Sequence, residues 1–199
     1  MYEQFIAVTN RKLCKNRFLD QIAKLAQTDV QAILLREKDL KEAEYAKLAE
    51  EVLAVCKEYG KPCILHTYAE AAKIIKHKSI HLPFEQFCDR KPVSNEWNHL
   101  GTSVHTVAEA VKAEQLGASY LIAGHIFETA CKAGLPGRGV DFLKQICQAV
   151  SIPVYGIGGA PLSDGSPAHG SGAGSERRHS LADHRLPGRH PHVLRMGCH

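Results

Sequence analysis

Residues 120–140 read YLIAGHIFETACKAGLPGRGV. The opening run Tyr120, Leu121, Ile122 and Ala123 is apolar without alternation, as suits a short strand covered on both faces. It breaks at Gly124-His125, and after Phe127 come a hydroxyl (Thr129), a thiol (Cys131) and an ammonium (Lys132). A glycine-rich turn over 134–139 then leads into a helical pattern. A buried strand ending in an ionisable ring and a polar loop is how a barrel of alternating strands and helices presents chemistry. A matching element follows at 153–159, PVYGIGG. There Gly156, Gly158 and Gly159 offer bare backbone that can approach a phosphate closely, although a plain turn explains a GxGG run nearly as often.

Outward from that stretch the same alternation repeats. A helix over 140–150 carries Leu143, Ile146, Cys147 and Val150 inward. Upstream, 107–116 reads as a helix capped by Thr106, with Glu109 completing a capping box and Gly117 closing it. Before it lie a weak strand at 98–103, a helical turn at 83–88, a strand at 79–82, a helix at 68–76 and a strand at 62–65. The long helix 40–59 sets Tyr45, Leu48, Val52, Val55 and Tyr59 on one face, then stops at Gly60 with Pro62 beyond. Strands at 4–8 and 31–36 flank a helical pattern at 16–27. Seven strand–helix units with apolar strands predict the α/β class, a parallel sheet with helices outside. The expected architecture is a (β/α)8 barrel of TIM type, truncated after its seventh strand; the rival is an open doubly wound sheet. Polar groups follow several strands (Arg36, His66, Ser103, His125, Gly158) and mark no single switch point, which favours the barrel.

After Gly159 the composition changes. The first 160 residues hold 15 Lys and 5 Arg, whereas the last 39 hold 5 Arg, no Lys and six of the twelve histidines. A segment such as GSGAGSERRHS has too little apolar surface to offset chain entropy. The expectation is an incomplete barrel over 1–159 and a disordered tail over 160–199, with the abrupt change suiting a shifted reading frame. Losing the last strand would expose sheet edges at strands one and seven. The rival is a genuine basic, histidine-rich arm, whose irregular histidine spacing is weak support.

A net charge of +4 does not imply nucleic acid or an acidic membrane as a partner. No apolar run approaches the roughly 20 residues of a membrane span. The N-terminus enters a strand with no basic-then-apolar leader, so a cytoplasmic location is the default. The seven cysteines form no CxxC, and reduced, small core residues are the expectation, with Cys131 beside Lys132 the least certain.

His125 is the candidate catalytic acid/base, because an imidazole can take and return a proton near neutral pH; a buried histidine bonded to backbone is the alternative. Thr129 and Lys132 could hold an anionic substrate group. Arg36 and Lys38, two apart at a strand end, share a side and could bind a second anion, unless they form a charged rim. Ser103 and His105 are candidates for lining the site, with entry into the following helix as the plainer role. His77 and His81 straddle a loop and a strand, an arrangement poorly suited to a shared metal. No pair of carboxylates stands at the strand ends, where a divalent cation holding pyrophosphate would need one or two.

Four blocks in order, LREKDL (35–40), GTSVHTVAEAVKAEQLGASYLIAGHIFET (101–129), CKAGLPGRGV (131–140) and IPVYGIGG (152–159), resemble the thiamine phosphate synthase/TenI family over roughly 3–159. GHIFET followed by CK and GRGV is most similar to the TenI, thiazole tautomerase, branch. The resemblance implies a (β/α)8 barrel that aromatises a carboxythiazole phosphate by a proton shift, with no cofactor. It implies His125 as the catalytic histidine and the glycines at 156–159 as the phosphate loop. The implied partner is a small phosphorylated thiazole, with neither nucleic acid nor membrane, and a homo-oligomer is compatible with it. The synthase branch couples a pyrimidine pyrophosphate to the thiazole phosphate and needs Mg2+. It is similar at Arg36, Lys38, Thr129 and Lys132, but its metal-binding aspartates would fall near His66-Thr67 and near 83–86, where this chain has none. The tautomerase is therefore the expected activity and the synthase its alternative; an inactive phosphate-binding protein or broken gene product is the third reading.

Overall fold

The computed structural model describes residues 5–90, 96–126 and 137–158, together with the backbone of 192–195. Strands β1 (Phe5–Val8), β2 (Ala32–Leu35), β3 (Cys63–His66), β4 (Ser79–Leu82), β5 (His99–Val104), β6 (Tyr120–Gly124) and β7 (Val154–Ile157) follow one another in chain order around a parallel barrel. Helices α1 (Phe18–Ala26), α2 (Glu42–Glu58), α3 (Ala69–Ile74), α4 (Phe84–Asp89), α5 (Val107–Gln115) and α6 (Gly139–Ala149) occupy the connections. The open doubly wound sheet is thereby excluded. Thr106 caps α5 as its sequence predicts, accepting from the Glu109 N–H at 3.1 Å, while the Glu109 carboxylate reaches back to the His105 N–H. No described helix is long and apolar enough to cross a membrane.

The seven contiguous strands stand as the sequence predicts, and one short strand from the tail is added to them. A four-residue strand β8 (His192–Arg195) pairs in parallel with β1 from Phe5↔His192 to Val8↔Arg195, and touches β7 through Gly156↔His192. The barrel is thus closed. Open edges at β1 and β7 present unpaired amides and carbonyls, and any extended backbone can satisfy them whatever its side chains. A strand specified by its partners carries no pattern of its own, which is why composition hid it. The remainder of 160–199, on which the expectation of disorder falls, lies outside the described residues.

Strand alternation divides the barrel into two cores. Outward residues such as Ala7, Ile33, Leu35, Leu65, Ile80, Leu82, Leu121 and Val154 pack with the helices around buried Ile22, Tyr45, Val52 and Ile146. Inward residues Ile6, Val8, Ala32, Leu34, Ile64, Tyr120, Ile122 and Tyr155 fill the barrel itself. Gly101 is where the inner packing requires a glycine: a Cβ there would lie 2.0 Å from the Tyr120 ring. Tyr45 ties helix to sheet, donating its hydroxyl to Leu35 O and accepting the His66 N–H, each at 2.8 Å.

Candidate active site at the barrel mouth

The mouth begins with a clamp between β1 and β2. Glu37, 2% exposed, accepts the Thr9 hydroxyl at 2.7 Å and the Arg11 N–H at 3.0 and 3.1 Å. Thr9 Oγ1 in turn accepts the Arg36 N–H at 3.0 Å. This buried carboxylate therefore fixes the backbone between the two cations that the sequence singled out. Asp39 is held outside by Arg11 and Lys12, at 2.7 and 3.2 Å. Burial lowers the Lys38 ammonium from its usual range, and the neighbouring positive charge of Arg36 lowers it further. Arg36 is thus near enough to Lys38 for its charge to act on the ammonium.

Beneath them lies a polar stack whose members are far apart in the chain. His66 and His81 stack at 5.4 Å between ring centroids. His81 is fully buried, with Nε2 2.8 Å from Ser103 Oγ and Nδ1 3.1 Å from the Tyr120 hydroxyl. Burial, with the charges of Lys38 and Arg36, pushes the His81 imidazole down to about 3. Burial also lowers His66 well below the ordinary imidazole value, assisted by His81, Lys38 and Arg36. Both rings are consequently neutral near pH 7, beneath a cationic rim. Period-two reading of SIHL could have found His81, since its neighbours Ile80 and Leu82 face the helices. His77 points elsewhere, its Nε2–H donating to Cys63 O at 2.9 Å, so the two histidines share no site.

Across the mouth, His125 is 9% exposed and follows directly on β6. The peptide joining it to Gly124 is cis. Its neighbour Ile126 donates its N–H to Ile157 O at 2.8 Å, and His125 O accepts the Arg138 N–H at 3.0 Å. This bonding sets His125 beside the end of β7 and Gly158. His105 adds a strut, its Nδ1–H donating to Gly124 O at 2.7 Å.

Gly156 departs from the cradle expected of it. It lies within β7, paired to Ala123 on one side and His192 on the other, and a Cβ would meet Leu143 and Ile126 at 3.1 and 3.2 Å. Glycine at this position admits α6 to the sheet, and sheet pairing occupies its backbone. Gly158 ends the described segment beside His125; Thr129, Cys131, Lys132 and Gly159 lie outside the described residues. Cys56 and Cys63 are buried and reduced, and Cys14, Cys88 and Cys147 are reduced and half-buried. Among the described residues no group of three or more His, Cys, Asp or Glu side chains could hold a metal ion.

Comparison with known proteins shows what the chain is similar to. Thiamine-phosphate synthase of Coprothermobacter proteolyticus is 33% identical over 169 residues, covering 83% of this chain and 80% of that protein. Thiamine-phosphate synthase 2 of Streptococcus pneumoniae is 33% identical over 156 residues, covering 76% and 74%. The solved thiamine phosphate pyrophosphorylase of Pyrococcus furiosus superposes with a TM-score of 0.66 at 25% identity, over 78% of this chain and 75% of that one. Residues 5–175 match the thiamine monophosphate synthase family, a span that continues past the change of composition at Gly159. With its seven contiguous strands inside that match, the chain belongs to the thiamine monophosphate synthase family.

Proposed function

We propose that this chain is a thiazole phosphate tautomerase, with His125 as the proton-transfer group and a phosphorylated thiazole as substrate. One observation carries the choice between the family's chemistries: the side chains at the ends of β3 and β4. Holding a magnesium pyrophosphate takes one or two carboxylates. At the first place stand His66 and Thr67, with His66 buried and neutral, and at the second, 83–86, no aspartate stands and Glu85 is an exposed carboxylate. Glu37 is engaged by Thr9 and Arg11, and Asp39 by Arg11 and Lys12. Among the described residues no pair of carboxylates stands at the ends of β3 and β4, a poor donor set for Mg2+.

Isomerisation fits what remains. Aromatising the ring breaks one C–H bond and forms another, with no atoms gained or lost. His125 would accept the first proton and return it as the electron pair moves into the ring. Arg36, Lys38 and Ser103 would bind anionic groups, Gly158 would let backbone approach the phosphate, and Thr129, Lys132 and Gly159 join as proposed ligands from the sequence. His125→Asn should lower turnover at least ~100-fold, the usual scale of a general acid/base, with substrate binding largely kept. Near-normal turnover in that variant would overturn the assignment.

The second reading, condensation of a pyrimidine pyrophosphate with a thiazole phosphate, is favoured by the names of the relatives, which are synthases. Mg2+-dependent pyrophosphate release by the purified protein would establish it in place of the tautomerase.

A further inference from the structure

We propose that His81 is a positioning residue: held by Tyr120, it turns Ser103 into a hydrogen-bond donor towards an anion at the barrel mouth. A neutral imidazole has one donor and one acceptor nitrogen, and its partners decide which is which. Tyr120 is 7% exposed, and among the described residues its hydroxyl meets His81 Nδ1 alone, at 3.1 Å. Were Nδ1 protonated, the tyrosine proton would be buried without an acceptor, a state that costs more than a lost bond to water. The tyrosine therefore donates to Nδ1, and the ring proton sits on Nε2. Nε2–H then donates to Ser103 Oγ at 2.8 Å, leaving the serine its own O–H to direct elsewhere. Ser103 is only half-buried, and the positive charges that act on His81 are those of Lys38 and Arg36. An acidic side chain would suit such surroundings, but none is bonded there among the described residues; an anionic oxygen of a ligand does. Gly101 completes the device by making room for the Tyr120 ring.

The proposal rests on the mouth being a phosphate site, and two readouts separate its failure from failure of that reading. In the full-length chain without ligand, 15N chemical shifts of His81 should show Nε2 protonated and Nδ1 as acceptor; the opposite tautomer overturns the relay whatever the mouth binds. Tyr120→Phe, which keeps the ring against Gly101, should then let both tautomers appear. For binding, inorganic phosphate is titrated calorimetrically. Ser103→Ala should weaken binding about tenfold or more, as expected for losing a hydrogen bond to a charged group. Tyr120→Phe should weaken it by a smaller factor, and the double variant should be no weaker than Ser103→Ala alone. Additive losses would mark Tyr120 as merely structural and overturn the relay. Failure of the wild-type chain to bind phosphate would overturn the site reading itself.

Discussion

The two faces of the same strands make different molecules. On β4, Ile80 and Leu82 face the helices among aliphatic neighbours, while His81 between them faces inward. On β6, Leu121 and Ala123 face out, and Tyr120 and Ile122 face in. The outer layer is a conventional core whose content is volume. The inner layer adds hydrogen-bonded groups in a sequence, from Gln31 and Tyr155 at 2.8 Å to the bonded set Tyr120, His81 and Ser103. Burial by itself thus does not separate scaffold from chemistry in a barrel; the parity of position along each strand does. Buried polar groups are tolerated on the inner face because each finds a partner, and those partners fix orientation.

Three experiments would break or sharpen that contrast. The largest effect is expected from the outer face: Leu65→Ala should cost about 2–5 kcal/mol in urea unfolding, with phosphate affinity unchanged in the folded protein. A comparable loss of affinity would mean that the two layers are not separable. Next, Gly101→Ala should cost about 1–3 kcal/mol, since the added methyl meets a Tyr120 ring already held by His81. Full stability in that variant would show that the inner layer yields like a loose core.

The third test is a pH dependence. The pKa values of His66 and His81 are lowered by folding, so the unfolded chain binds more protons once pH drops below the ordinary imidazole value of about 6.5. Their contribution is complete above that pH and is lost as pH falls towards the folded value, about 3 for His81. Each such histidine contributes a slope of up to ~1.4 kcal/mol per pH unit. Urea melts between pH 6.5 and 5 should show the slope, reduced in His81→Asn; a flat profile would contradict neutral inner rings.

What was legible in the sequence divides along the same line. Helix faces and strand runs predicted all seven contiguous strands and every intervening helix, because an outer core depends only on apolar periodicity. Arg36, Lys38 and His125 stand out in the sequence as candidates because they interrupt apolar runs at strand ends. In the sequence His81 offers only a poor metal pairing with His77, and Tyr120 only the start of a buried strand. Their pairing joins residues 39 apart in the chain, and no local pattern encodes it. Gly156 misled for the opposite reason: bare backbone looks alike whether it admits a phosphate or a helix.

The sequence alone determined the alternation of strands and helices, the family resemblance and the cations at the end of β2, all carried by short-range pattern. Tertiary structure alone decided which polar residues meet inside the barrel, that Glu37 belongs to a clamp, and that β8 closes the ring. Those features depend on contacts between residues distant in the chain and on backbone edges that any extended segment can fill, and neither leaves a trace in local composition.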